Sequence, residues 1–359
     1  MRTIKFKGRD ESQAQFSAAL RKRVGDYFKE KNIPTHGNWE LKLKSAVMLS
    51  LYLIPFVLLL AVPMNGWLGL CLVIVMGLGI AGIGMGVMHD ANHGSYSRKR
   101  WLNELMGASM YLLGSNVFNW KLQHNVLHHT YTNIEGLDGD IHSLGPIRLS
   151  EHAPIKKIHR YQYLYAFFLY GLLTLLKMVK DFSQLHDFNR KGVTKSQKRS
   201  PNFEMMKMTV LKLAYLALFI GLPIWVSGFA FWQVLIGFFV MHWIAGCILS
   251  TIFQLAHVVE GAAQPLEKAR GLIENDWMVH ELETTSNFAR GNRPLSWFIG
   301  GLNYQIEHHL FPHISHVHYA KITFIVEQTA HDFGYPYNLK TSFGSALASH
   351  VRRLRELGR

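Results

Sequence analysis

Residues 45–89 read SAVMLSLYLIPFVLLLAVPMNGWLGLCLVIVMGLGIAGIGMGVMH, without one Asp, Glu, Lys or Arg. A helix needs about 20 apolar residues to cross a bilayer, so this stretch is long enough for two. Pro63-Met64-Asn65-Gly66 divides it into candidate spans at Ser45–Val62 and Trp67–Met88. A second charge-free window, Leu213–Val259, divides at Ser227-Gly228 into Leu213–Val226 and Phe229–Ile252, with Lys212 at its edge placed to snorkel. The 38 basic and 24 acidic side chains of the 359-residue chain all lie outside these windows. Two buried hairpins in a large soluble protein are the alternative, but charge-free runs of this length are foreign to such cores. The expected fold is therefore an all-α integral membrane protein with four transmembrane helices arranged as two hairpins.

Working outward, Leu105–Trp120 and Tyr161–Leu176 are apolar but shorter, aromatic-rich and flanked by Lys and Arg, which predicts interfacial helices. Lys191–Lys207 reads as a basic, membrane-facing strap. Both hairpin turns are uncharged, so every Lys and Arg falls on the side that the positive-inside rule assigns to the cytoplasm. The expected organisation is a cytoplasmic N-terminal arm (1–44), hairpin 1 (45–88), a cap segment (89–212), hairpin 2 (213–256) and a second cap segment (257–359), together one domain. The first 28 residues contain no apolar h-region, so no cleaved signal peptide is expected. A charged fraction of 17% argues against a disordered or nucleic-acid-binding chain, and the only cysteines, Cys71 and Cys247, exclude a disulfide scaffold or a thiolate-ligated metal.

Histidine is the outlier, at 20 residues. Three boxes hold His89 and His93, then His124, His128 and His129, then His308 and His309. Their 16 positions carry seven histidines, where the chain's own frequency predicts about one. Residues four apart share a helix face, so His89 pairs with His93 and His124 with His128. His257 closes the fourth span beside them as an eighth candidate ligand. His242 lies 15 residues earlier, roughly 22 Å down the helix, and is expected to be a hydrogen-bonded core histidine. Eight imidazoles exceed one tetrahedral zinc and suit two metal ions, with an all-nitrogen set pointing to iron ahead of zinc, copper or nickel. Asp90, Asp138, Asp140 and Glu307 are candidate carboxylates to hold second ring nitrogens, and Gln305 is a possible ligand or supporting group. The tail histidines His313, His316 and His318 are expected in supporting roles. Gly77, Gly79, Gly82, Gly84 and Gly86 are expected to let helices approach closely.

These residues resemble the membrane-bound fatty acid desaturase family, with its HxxxH, HxxxHH and [H/Q]xxHH boxes. The resemblance runs from about Trp39 to Gln328 and includes the strings His128-His-Thr-Tyr-Thr-Asn133, His257-Val-Val-Glu-Gly-Ala262 and His308-His-Leu-Phe-Pro312. It implies one catalytic domain holding a non-haem di-iron centre that uses O₂ and two electrons to place a cis double bond in an acyl chain carried on coenzyme A or a lipid. Gln305 opening the third box resembles the front-end group, of the Δ6 or linoleoyl-CoA type, which desaturates on the carboxyl side of an existing double bond. No HPGG haem motif occurs, so a fused cytochrome b5 is not expected. Electrons are expected from a separate donor such as ferredoxin or cytochrome b5, which the net charge of +14 would help to steer. A hydroxylase of the same superfamily is the rival enzyme, and the Gln305 box with the His257 string favours desaturation. A haem carrier or metal transporter would place its ligands deep in the spans, where only His242 lies.

Overall fold

The computed structural model describes residues 4–141, 145–267 and 271–359. Among the described residues, four helices are long and apolar enough to cross a membrane: Trp39–Ala61, Gly66–His93, Pro201–Val226 and Phe231–His257. They are apolar on their outer as well as their inner faces, as a lipid-embedded bundle requires. Ile54 and Val57 on the first span are 56% and 57% exposed. Each hairpin turn has a local chemical cause. Asn65 accepts a hydrogen bond from Leu68 N (2.9 Å) to cap the second span, and Gly228, at φ +72°, makes the turn between the third and fourth.

The first and second spans pack through glycines, as expected. A Cβ on Gly79 would lie 2.8 Å from Tyr52 N and 3.0 Å from Leu51 C. On the opposite face, a Cβ on Gly77 would meet Met241 O at 2.8 Å, so the second span also fits closely against the fourth. Tyr52 donates to Leu112 O (2.8 Å), which ties the first span to the segment after box one.

Four sequence expectations change. The third span begins at Pro201, not Leu213, because Ser200 and Pro201 supply a helix cap and first turn. The basic strap therefore ends where the span begins. Lys212 does not snorkel: its ammonium is buried, 2.9 Å from Asp181 Oδ2 and 2.9 Å from Gly114 O. The stretch Tyr161–Leu176 is not one helix, since Lys157–Tyr170 and Leu173–Arg190 bend by 88° at Gly171 and Leu172. There the backbone of Tyr170 and Gly171 lies against Gly246 of the fourth span, where a Cβ would collide with it. Likewise, Leu105–Trp120 divides among Arg100–Ala108, Ser109–Leu113 and Val117–Trp120, with Gly114 at φ +73° as the break.

Beyond the spans, helix Glu11–Glu30 packs Phe16, Leu20 and Val24 against Val279, Leu282, Ile322 and Val326. Two short parallel strand pairs, Lys5–Phe6 with Leu272–Ile273 and Asn287–Phe288 with Leu339–Lys340, join remote segments. This cap covers the end of the bundle at which the second and fourth spans finish in His93 and His257.

Gly79→Val should lower the melting temperature and folded yield in detergent, at or beyond the roughly 1–3 kcal/mol of an overpacked core. Gly25→Ala, whose new Cβ meets no heavy atom within 4 Å, should leave stability unchanged or raise it by up to about 1 kcal/mol.

Candidate metal centre

Box one sits on the cap end of the second span, where helix Met88–His93 follows Val87 and Gly94, at φ +79°, ends it. Box two is a π-helical turn, Lys121–His128, rather than an α-helix. His129 N donates to His124 O (3.1 Å), five residues back. Such wider turns occur mostly at functional sites, and here both members of the His128-His129 doublet lie among the other histidines. Box three is the buried helix Gln305–Leu310, and His257 is the last residue of the fourth span.

The eight candidate histidines meet in one place. Nitrogens of His89, His93, His124 and His308 lie within 4.8 Å of one another, and so do those of His128, His257 and His309. His129 stands between the two groups, its ring centre 4.8 Å from that of His93, 4.6 Å from His308 and 4.5 Å from His309. Asp140 forms a further group with His124 and His128.

The donor chemistry fits metal ions. Seven ring nitrogens, His93 Nε2, both of His129, both of His257, His308 Nε2 and His309 Nε2, are buried without a hydrogen-bond partner. His89 Nε2 and His124 Nε2 are 3.1 Å apart, close to the roughly 3 Å between neighbouring ligands on a cation with metal–nitrogen bonds of roughly 2.1 Å. Opposite nitrogens are anchored, as ligating histidines require. His128 Nδ1 donates to Asp138 (3.0 Å) and His309 Nδ1 to Glu281 (2.8 Å), while His308 Nδ1 lies 3.1 Å from the Tyr319 hydroxyl. Burial, reinforced by neighbouring imidazoles, holds His124, His129, His308 and His309 well below the usual histidine range. They are thus neutral, the form that binds metal. Burial acts the same way on His128, but the charges of Asp138 and Asp140 outweigh it and raise that imidazole to about 9.

The candidate carboxylates divide. Asp138 holds His128, and Asp140 Oδ2 lies 3.5 Å from His128 Nδ1 while its Oδ1 accepts from Gln123 (2.8 Å). Asp90 turns away from the cluster, accepting from Ser315 Oγ (2.6 Å) and His316 N (3.2 Å). Glu307 also turns away, accepting from Asn287 (2.7 Å) and Tyr337 (2.8 Å). Gln305 is buried with its Nε2 unpartnered. His316 faces Asp90 and Lys44, and His318 bonds His36 O (3.1 Å).

Sequence reasoning missed Glu281, Tyr319, Thr132 and Trp120. Thr132 donates to Glu281 (2.8 Å), and Trp120 stacks on His124 with ring centres 4.5 Å apart. The one available signal was Glu281 itself, a carboxylate on the inner face of helix Trp277–Thr284. Asn133, at φ +59°, joins the loop after box two to His257 O (2.9 Å), Ala263 O (3.1 Å) and Thr284 O (3.0 Å).

Residues 65–341 match the fatty acid desaturase family. The chain belongs to this family. The sn-1 linoleoyl-lipid 6-desaturase of Arthrospira platensis is 33% identical over 349 residues, covering 95% of this chain and 92% of the relative. That of Synechocystis sp. is 33% identical over 347 residues, covering 96% of each. The acyl-lipid (8-3)-desaturase of Physcomitrium patens is 34% identical over 355 residues, covering 97% of this chain and 73% of the relative. The protein is therefore a multi-pass membrane oxidoreductase, a fatty acid desaturase acting on fatty acyl chains, and hydroxylation is not favoured.

Asp138→Asn, which weakens the hold on His128, should reduce retained divalent metal affinity about 10- to 100-fold, read by elemental analysis after dialysis against a graded chelator. Loss of metal on His242→Phe, outside the cluster, would contradict the assignment.

Proposed function

We propose that this desaturase holds two iron ions in its histidine cluster and places a cis double bond on the carboxyl side of one already present in a lipid-linked acyl chain. The carrying observation is the pair of histidine groups with His129 between them. One group draws on His89, His93, His124 and His308, the other on His128, His257 and His309, and His129 is placed to serve either. Relatives named linoleoyl-lipid 6-desaturases support a lipid-linked diene as substrate, and Gln305 opening box three agrees with the front-end resemblance.

An unactivated methylene has no acidic proton for a side-chain base to take, so acid–base chemistry alone cannot begin the reaction. Iron with O₂ supplies the oxidising power when bound. Two hydrogens from the chain, two protons and two external electrons reduce O₂ to two waters. The protein's own work is placement. Asp138, Glu281 and Tyr319 fix the rings of His128, His309 and His308 from outside, so that each Nε2 is presented inward. Trp120 covers His124 and excludes water from that side.

Both termini and the histidine cap are placed on the cytoplasmic side by the positive-inside rule. The excess of basic residues there favours an acidic electron donor, such as ferredoxin or cytochrome b5. We read the chain as one catalytic unit, the cap built from the segment between the two hairpins, which ends where the third span begins at Pro201, and from the segment that follows His257.

Expression in cells lacking polyunsaturated lipids, with linoleate supplied, should yield a product with a third double bond on the carboxyl side, located by mass spectrometry. A hydroxylated product, or unchanged lipids with iron and reductant present, would refute the reading. His128→Ala should lose activity and iron together, and wild-type iron content in that variant would remove His128 from the ligand set.

A further inference from the structure

At the hairpin-turn end of the bundle, opposite the histidines, lies a cavity of about 460 Å³. Such a volume falls in the range of sites that enclose a small apolar ligand, roughly 300–1,000 Å³. All four spans or their turns contribute to its wall, which includes Phe56, Trp67, Phe219, Phe229, Trp232 and Phe238. No charged residue lines it. Two of its polar atoms are used locally: Ser227 Oγ donates to Pro223 O (2.6 Å) and Gln233 Oε1 accepts from Ala230 N (2.9 Å).

Position defines the occupant. Trp67, Trp225 and Trp232 are 79%, 83% and 60% exposed at this end, as tryptophans are at a membrane–water interface. The wall runs down the fourth span from Trp232 to Met241, roughly 14 Å at the helical rise, which carries it to about the middle of a 30 Å hydrocarbon core. Met241 is roughly 24 Å from His257 along the same helix. Between them the second and fourth spans close on each other, since a Cβ on Gly77 would strike Met241 O and one on Gly84 would lie 3.2 Å from Leu249. That seam closes the direct route between the second and fourth spans from the histidines to this cavity.

We propose that the cavity is a separate lipid site, holding one acyl chain of a bilayer phospholipid from the leaflet on the hairpin-turn side. With no charged side chain in its wall to hold a head group, it selects the hydrocarbon chain. The occupied site fills the space between the two hairpins.

Two measurements test this on the full chain. In nanodiscs of phosphatidylcholine carrying a diazirine near the middle of one acyl chain, irradiation should label peptides within residues 66–76 and 229–241. By native mass spectrometry, protein extracted in mild detergent should retain one phospholipid per chain. Gly237→Phe places a ring in the cavity from a Cβ that meets Val73 at an ordinary 3.4 Å, and should lose both the adduct and the labelling while keeping wild-type metal content. Absence of labelling in the wild-type protein, or an adduct retained equally by Gly237→Phe, would overturn the proposal. So would labelling that free linoleoyl substrate competes away, which would make the cavity part of the substrate path, or crosslinks there to a second copy.

Discussion

Seven buried imidazole nitrogens without partners at one end of a helical bundle set the terms for the rest of this molecule. Leaving a buried polar atom unsatisfied costs about 1–3 kcal/mol, and a whole domain is stable by only about 5–15 kcal/mol. Such a cluster is untenable unless something supplies what the nitrogens lack. Cations do so, and the energy that orders the ligands then becomes part of the folding energy. The cap can be understood as the structure that keeps these rings in place and dry.

Each box reaches the cluster by a different device. His93 and His257 lie at the cap ends of two spans whose lengths the bilayer dictates, so their depth follows from the hydrophobic thickness. The doublet in box two closes a π turn, in which His129 N donates to His124 O five residues back. Box three is a short buried helix held by its own polar contacts, with Ile306 N donating to Asn287 Oδ1 (2.9 Å) and Glu307 meeting Asn287 and Tyr337. Asn133 then closes the loop after box two onto the end of the fourth span. The Asp90 contacts with Ser315 and His316 do the same for the segment after box three. Both are cross-links between elements far apart in the chain, and both lie just outside the ring of histidines.

This division explains what the sequence could and could not reveal. The spans were legible because the bilayer excludes charge over a fixed length, so composition alone marks them. The boxes were legible because neighbouring helical turns bring their residues together. The partners were not. Glu281 reaches His309 from 28 residues away and Thr132 from 149, while Asp90 meets Ser315 across 225. No periodicity encodes such contacts. Asp90 and Glu307 were plausible metal-side carboxylates by proximity in sequence, yet each adjoins a histidine whose ring points the other way. Lys212 failed for the same reason: a lysine at a span edge normally snorkels, but Asp181 on another helix offered a buried partner.

Comparison of His242 with His257 carries the distinction further. They share one helix and its apolar surroundings. His242 has both nitrogens occupied, by the Tyr215 hydroxyl at 2.8 Å and Thr174 Oγ1 at 3.1 Å, whereas both nitrogens of His257 are without partners. His350 is satisfied in the same way by Tyr170 (2.9 Å) and Val258 O (2.7 Å), and His159 by Lys156 N (3.0 Å) and Gly145 O (2.9 Å). Burial and apolar context are therefore common to structural and metal-facing histidines. What separates them is where free nitrogens gather: His36 and His318 each keep one Nδ1 without a partner away from the cluster, whereas the metal-facing rings turn theirs toward one another. His308 and His309 meet that condition with Nδ1 anchored and Nε2 free, and His129 meets it with both nitrogens free at the junction of the two groups. In a chain this rich in histidine, the convergence of unpaired nitrogens locates the centre more sharply than the density of the residues does.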